Sequence, residues 1–259
     1  MNSYWENRLA NAQAAISEKN LKQIERQLAK YYGIAANKII KDFESTYNKV
    51  LSAIDEDKEP TPADLYRLDS YWQMQQQLRQ ELRKLGEKEI ATLTKFFELN
   101  FFEVYHSLDI EGAVAFSTID AAAAQQIINQ VWVQDGKNFS ARVWDNTNRL
   151  LETLNEELVN CVVTGKKTTE LKNKLQERFG VSYRRADTLA RTELCHIQTE
   201  SAKQRYKDYG IQYVEVLVDP DARTCEKCKA LIGKKYPVNG IMPLPVHPNE
   251  RCALVPVID

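Results

Sequence analysis

Apolar residues recur at every third or fourth position along most of this chain, and the recurrence stops at Gly210. That one pattern restricts the fold more than any composition value does, because a period near 3.6 specifies helices with one buried face. Leu21, Ile24, Leu28 and Tyr31 begin one such face, with Gly33 expected to interrupt or bend the helix. Ile39, Phe43, Tyr47, Val50 and Ile54 continue it. The charged, proline-containing run 55–62 breaks the pattern, and Thr61 as cap with Pro62 in the first turn predicts a new helix.

That helix is expected to carry a seam of Leu65, Leu68, Trp72, Leu78, Leu82 and Leu85 around a polar Gln75, with Gly86 as a possible end. The aromatic stretch 95–108 reads as bundle core, since Phe97 and Phe101 share a face, and His106 as a partly buried histidine. Ser117 or Thr118 is expected to cap the alanine-rich helix that follows, and Asp135-Gly136 to turn the chain. Ser140 then caps a helix through Val143, Leu150, Leu154 and Leu158, ending at Gly165. Leu171, Leu175 and Phe179 predict a short helix closed by Gly180. Ser182 opens another, holding Ala186, Leu189, Ala190, Leu194 and Ile197.

After Gly210 the residues change character. The Ile211–Asp219 segment is rich in Val, Tyr and Ile and reads as a strand, Asp219-Pro220-Asp221 as a turn, and Ala253–Ile258 as a return strand kept at an edge by Pro256. Between them, Arg223–Cys252 holds three of the five cysteines and one of the three histidines. Five prolines between Pro237 and Pro256 exclude helix there, and so short a segment buries little by itself.

Cys225 and Cys228 form a C-x-x-C, which lets two thiolates on one turn share an ion. His247 and Cys252 lie eighteen and four intervening residues further on. Together the four side chains offer the tetrahedral shell of a structural zinc, which would brace the segment. Three other readings stay open: a site without metal, a redox pair, and a zinc-supported nuclease. The redox pair lacks a βαβ setting, and the nuclease needs a second histidine close by, whereas His106 and His196 lie far away in sequence. Cys161 and Cys195 sit on helical faces and read as small core residues. Arg191-Thr192-Glu193 reads as an intramolecular ion pair or a cap contact joining the helix to the zinc unit, because no nucleophile, phosphate loop or carboxylate pair accompanies it.

A net charge of -1 gives no global attraction to nucleic acid or anionic lipid, although residues 160–235 carry sixteen Lys/Arg against ten Asp/Glu, a local +6. The polar start predicts no signal peptide, and no apolar run approaches membrane-spanning length, so a reducing cytosol is expected.

Three stretches give the chain a resemblance to the phage head morphogenesis, or minor capsid protein, family of Mu F-like proteins: 136–144, 190–211, and the cysteine segment with its Arg-Thr-Cys-x-x-Cys and His-Pro-Asn-x-Arg-Cys. The likeness covers Glu111 to Val257. Glu250 stands where the family often has a cysteine; if that position is the ligand elsewhere, the site here uses Cys252 or the Glu250 carboxylate, or loses its metal, and Cys252 is preferred because thiolate outcompetes carboxylate for zinc. The resemblance implies a non-enzymatic minor head protein that binds the portal, the major capsid protein or a scaffold protein, and possibly DNA inside the head. It would influence DNA packaging or ejection, and it would reside in the virion after assembly in the host bacterial cytoplasm.

The expected fold is mainly α. An elongated helical part, 1–110, is expected to bind the partner and to be removable without disturbing the metal unit. A helical core, 111–215, follows, and a small β unit, 216–259, with a zinc-knuckle-like hairpin completes a C-terminal α+β region.

Overall fold

The computed structural model describes residues 3–53, 61–110, 119–218 and 224–258. Its elements are α1 (Ser3–Ala53), α2 (Pro62–Tyr66), α3 (Asp69–Ser107), α4 (Ala121–Asn129), α5 (Phe139–Val163), α6 (Thr168–Asp208), β1 (Tyr213–Leu217), α7 (Glu226–Lys229), β2 (Lys235–Pro237) and β3 (Ala253–Pro256). The fold is thus mainly helical with a small antiparallel sheet near its end, as the periodicity predicts.

Several helix boundaries differ from expectation. Gly33 interrupts nothing, and α1 runs through it. Gly180 does not close a helix either, so the two helices expected on either side of it are one, α6. A single glycine costs a helix only about 1 kcal/mol, which packing on both flanks offsets. At α2, Thr61 caps as expected: its N–H and Oγ1 donate to Asp64 Oδ2 at 2.9 and 2.6 Å. The helix then breaks at residues 67–68 before α3 begins. That break resets the helical phase, so Tyr71 rather than Trp72 is buried, and Trp72 is 55% exposed. The caps expected at Ser117 or Thr118, the Asp219–Asp221 turn, and most of the 55–62 break fall outside the described residues. Asp120 caps α4 by accepting the Ala123 N–H at 2.7 Å.

The chain divides into two compact units, and neither is continuous in sequence. One comprises residues 26–91 and 140–187. Its helix segments bury Leu28, Phe43 and Tyr47 of α1, Leu78, Leu82 and Leu85 of α3, Leu150, Leu154 and Leu158 of α5, and Leu171 and Leu175 of α6. Gly86 has a packing reason: a Cβ built there would lie 2.7 Å from Trp144 Cζ3. Cys161 is buried in this unit.

The other unit comprises residues 1–25, 92–139 and 188–259. Its sheet has the order β2-β1-β3, with both pairings antiparallel and Val214 opposite Tyr236 and Pro256. β3 is therefore an edge strand, as Pro256 requires. Along β1, Val214 and Val216 are buried and alternate with more open neighbours. They pack with Leu9 of α1, Val104 of α3, and Ala202 and Tyr206 of α6. Phe97 and Phe101 are fully buried, so the aromatic stretch is core, and Phe97 meets Phe139 edge-on at 5.3 Å. Gln13 Nε2 and the Tyr206 hydroxyl both donate to the Leu254 carbonyl, at 2.7 and 3.0 Å. The start of α1 is therefore part of the same core as the last strand.

Candidate metal centre

Cys225 is the N-cap of α7, and its Sγ accepts the Cys228 N–H. One helical turn then sets the two sulfurs 3.5 Å apart. The Val246–Cys252 segment returns over this turn. Asn249 has φ 63, a left-handed conformation that asparagine tolerates better than most residues, and it reverses the chain between His247 and Cys252. His247 Nε2 lies 3.1 Å from Cys228 Sγ, and its Nδ1 lies 2.8 Å from the Pro248 carbonyl. A proton on Nδ1 donates to that carbonyl and leaves the Nε2 lone pair facing the sulfurs, an orientation suited to a metal ligand.

Two groups of donors result, and they share Cys228. Cys225, Cys228 and His247 form one, and Cys228, Glu250 and Cys252 form the other; within each, the donor atoms lie within 4.8 Å of one another. The four residues singled out in the sequence thus converge on one small region, but through the shared sulfur rather than as a single mutually close set of four. Glu250, the alternative to Cys252 in the sequence, lies in the same donor group as Cys252. It is 6% exposed, Oε1 is 3.7 Å from Cys228 Sγ, and Oε2 accepts the Val246 N–H.

The electrostatics differ along the cluster. The backbone N–H of Cys228 holds the half-buried Cys225 thiol below its usual range. Burial, followed by Cys225, pushes Cys228 up to about 12. Burial, followed by Glu250, pushes Cys252 up as well. The Pro248 carbonyl holds His247 above its usual value. Cys195 of α6 is buried close behind: burial raises its thiol first, then Glu250 and Cys228.

The other two histidines are not members of this cluster. His196 is buried, stacks on Trp132 with ring centroids 4.4 Å apart, and has Nε2 3.0 Å from Gln130 Nε2. Burial pushes it down to about 3, so it is a neutral ring. His106 is exposed rather than partly buried and stacks on Phe102. Arg191 pairs with Glu25 of α1, and Glu193 accepts the Trp132 indole N–H at 2.9 Å. The ion-pair reading of this stretch therefore holds, with Glu25 of α1 as a partner of Arg191.

Fold and site together define a helical protein whose small terminal sheet carries a cysteine–histidine cluster. Residues 152–255 match the family model described as Phage Mu protein F like protein, a likeness consistent with a phage head morphogenesis or minor capsid family. The match contains the whole Cys/His cluster and the 190–211 stretch but not 136–144, so it is narrower than the resemblance. No curated protein and no solved structure matches the chain.

Proposed function

We propose that this chain is a non-enzymatic minor protein of a bacteriophage head, which binds the portal or the capsid interior during assembly and influences DNA packaging or ejection. The observation that carries the reading is the Phage Mu protein F like match over 152–255. The portal is the first choice of partner, with the major capsid or scaffold protein next and DNA inside the head as a further contact. The protein would lie in the head interior or at the portal vertex, after assembly in the host cytoplasm. No helix among the described residues is long and apolar enough to cross a membrane.

The donor set fits a structural zinc. Three thiols and an oriented imidazole are soft and borderline ligands of the kind zinc prefers. Cys225, Cys228, His247 and Cys252 would hold it. When bound, the ion supplies folding energy to a proline-rich segment whose own apolar burial is small.

Tyr66 and Trp72 are the best candidates for the partner contact. They are 44% and 55% exposed and belong to a ring cluster with Tyr71. The Trp72 indole N–H donates to the Tyr66 carbonyl at 2.9 Å, so the surface is already ordered. Exposed Trp and Tyr are the residue types that most often anchor protein interfaces.

Quantitative mass spectrometry of purified phage heads tests the role. A few copies per head support it. Absence from heads, together with divalent-dependent DNA cleavage by the purified chain, would replace it with a nuclease.

A further inference from the structure

Glu250 is buried among thiols, and its hydrogen bonds come from one backbone N–H and a thiol. Oε2 accepts the Val246 N–H, Oε1 faces Cys228, and Cys252 belongs to the same close group. Among the described residues no lysine or arginine pairs with it. A carboxylate that has lost its water and gained one backbone hydrogen bond and a weak thiol donor is costly. A cation inside the cluster offsets that cost directly. The carboxylate is also oriented for the purpose: the backbone amide holds Oε2, which leaves Oε1 directed at the sulfur shared by both donor groups.

We infer that Glu250 Oε1 is itself a metal ligand, taking the fourth position given above to Cys252, so that a tetrahedral shell mixes sulfur, nitrogen and oxygen. The inference rests on the proposal that the cluster holds zinc. Its chemical consequence is a harder, more exchangeable site than thiolates and imidazole alone would make. The competing role is a brace, in which Glu250 only anchors the Val246 amide and never touches the metal.

Cobalt(II) titration of the full-length chain, followed by absorption, separates the two. Wild-type protein should show thiolate-to-cobalt charge transfer and d–d bands. Glu250→Gln should shift the d–d bands and weaken binding about tenfold or more, while charge transfer per bound cobalt stays the same because no sulfur is lost. Glu250→Cys should raise the charge-transfer intensity by one thiolate's worth and restore affinity. That variant decides the matter if Glu250→Gln fails to fold, as judged by circular dichroism. Wild-type d–d bands in Glu250→Gln, or no added charge transfer in Glu250→Cys, would make Glu250 a brace and overturn the inference. No charge transfer in the wild-type protein would instead overturn the zinc reading itself.

Discussion

The Tyr32 hydroxyl donates to Glu89 Oε2 across 3.0 Å, at a fully buried carboxyl group. Asn146 Nδ2 donates in turn to the Tyr32 oxygen at 3.0 Å and to the Ser182 carbonyl at 3.0 Å. Four helices of the 26–91 and 140–187 unit thus meet in one polar network inside an apolar core. Glu89 Oε1 is buried without a hydrogen-bond partner among the described residues.

Burial raises the Glu89 carboxyl from 4.5 to about 7, against a lesser lowering by Tyr32. The folded state therefore keeps a proton that the unfolded state releases. Stability is highest below pH 4.5 as far as this group is concerned, falls as pH rises to about 7, and is level above that. The loss amounts to about 3 kcal/mol. Denaturant midpoints across pH 5 to 8 should fall in wild-type protein and flatten in Glu89→Gln, which has no proton to lose. An equal slope in both would show that the carboxyl does not titrate in this range.

Two glycines on helices should respond oppositely to alanine. A Cβ at Gly33 meets nothing within 4 Å, so Gly33→Ala should stabilise by about 0.5–1 kcal/mol through lower backbone entropy in the unfolded chain. Gly86→Ala must displace the Trp144 ring and should destabilise, with a blue- or red-shifted tryptophan emission as the ring moves. Thermal melts of both variants check the contrast.

Leu78 is 2% exposed on the α3 seam. Leu78→Ala should cost about 2–5 kcal/mol. An unchanged denaturation midpoint would place the seam at the surface.

How much of this could be read beforehand depended on range along the chain. The spacing of Ile39, Phe43, Tyr47 and Val50 announced a buried face, since neighbours on a helix are neighbours in sequence. The glycines misled because local propensity is weak beside tertiary packing. Trp72 was placed inside because the phase of α2 was carried through the break at 67–68. Glu89 could have been found, since it lies four residues from both Leu85 and Leu93 on the apolar face. The joining of Gln13 to Leu254 could not, because nothing local marks two residues as partners across that length of chain. The cysteines and His247 were legible as donors from their type and spacing. The placement of Glu250 depended on the left-handed Asn249, which spacing does not report.

Protein purified without added metal should contain about one zinc per chain by elemental analysis. Cys228→Ser should lose more of it than any other single cysteine variant, because Cys228 is shared by both donor groups. Less than about 0.2 zinc per chain in a folded wild-type protein would remove the structural metal.

The central claim is that the chain works by binding a head component. Its most direct test is co-purification of the full-length chain with the portal protein of the same phage, judged by light scattering on a sizing column. Truncating the first sixty residues is unsuitable, because Leu9 and Gln13 belong to the core around the terminal sheet. A paired Tyr66→Ala and Trp72→Ala variant, checked for wild-type zinc content, serves instead. The account predicts one complex with wild-type chain and a loss of affinity of about tenfold or more with the variant. Wild-type chain that elutes apart from the portal protein at micromolar concentrations, or a variant that binds it as tightly as wild type, would contradict it.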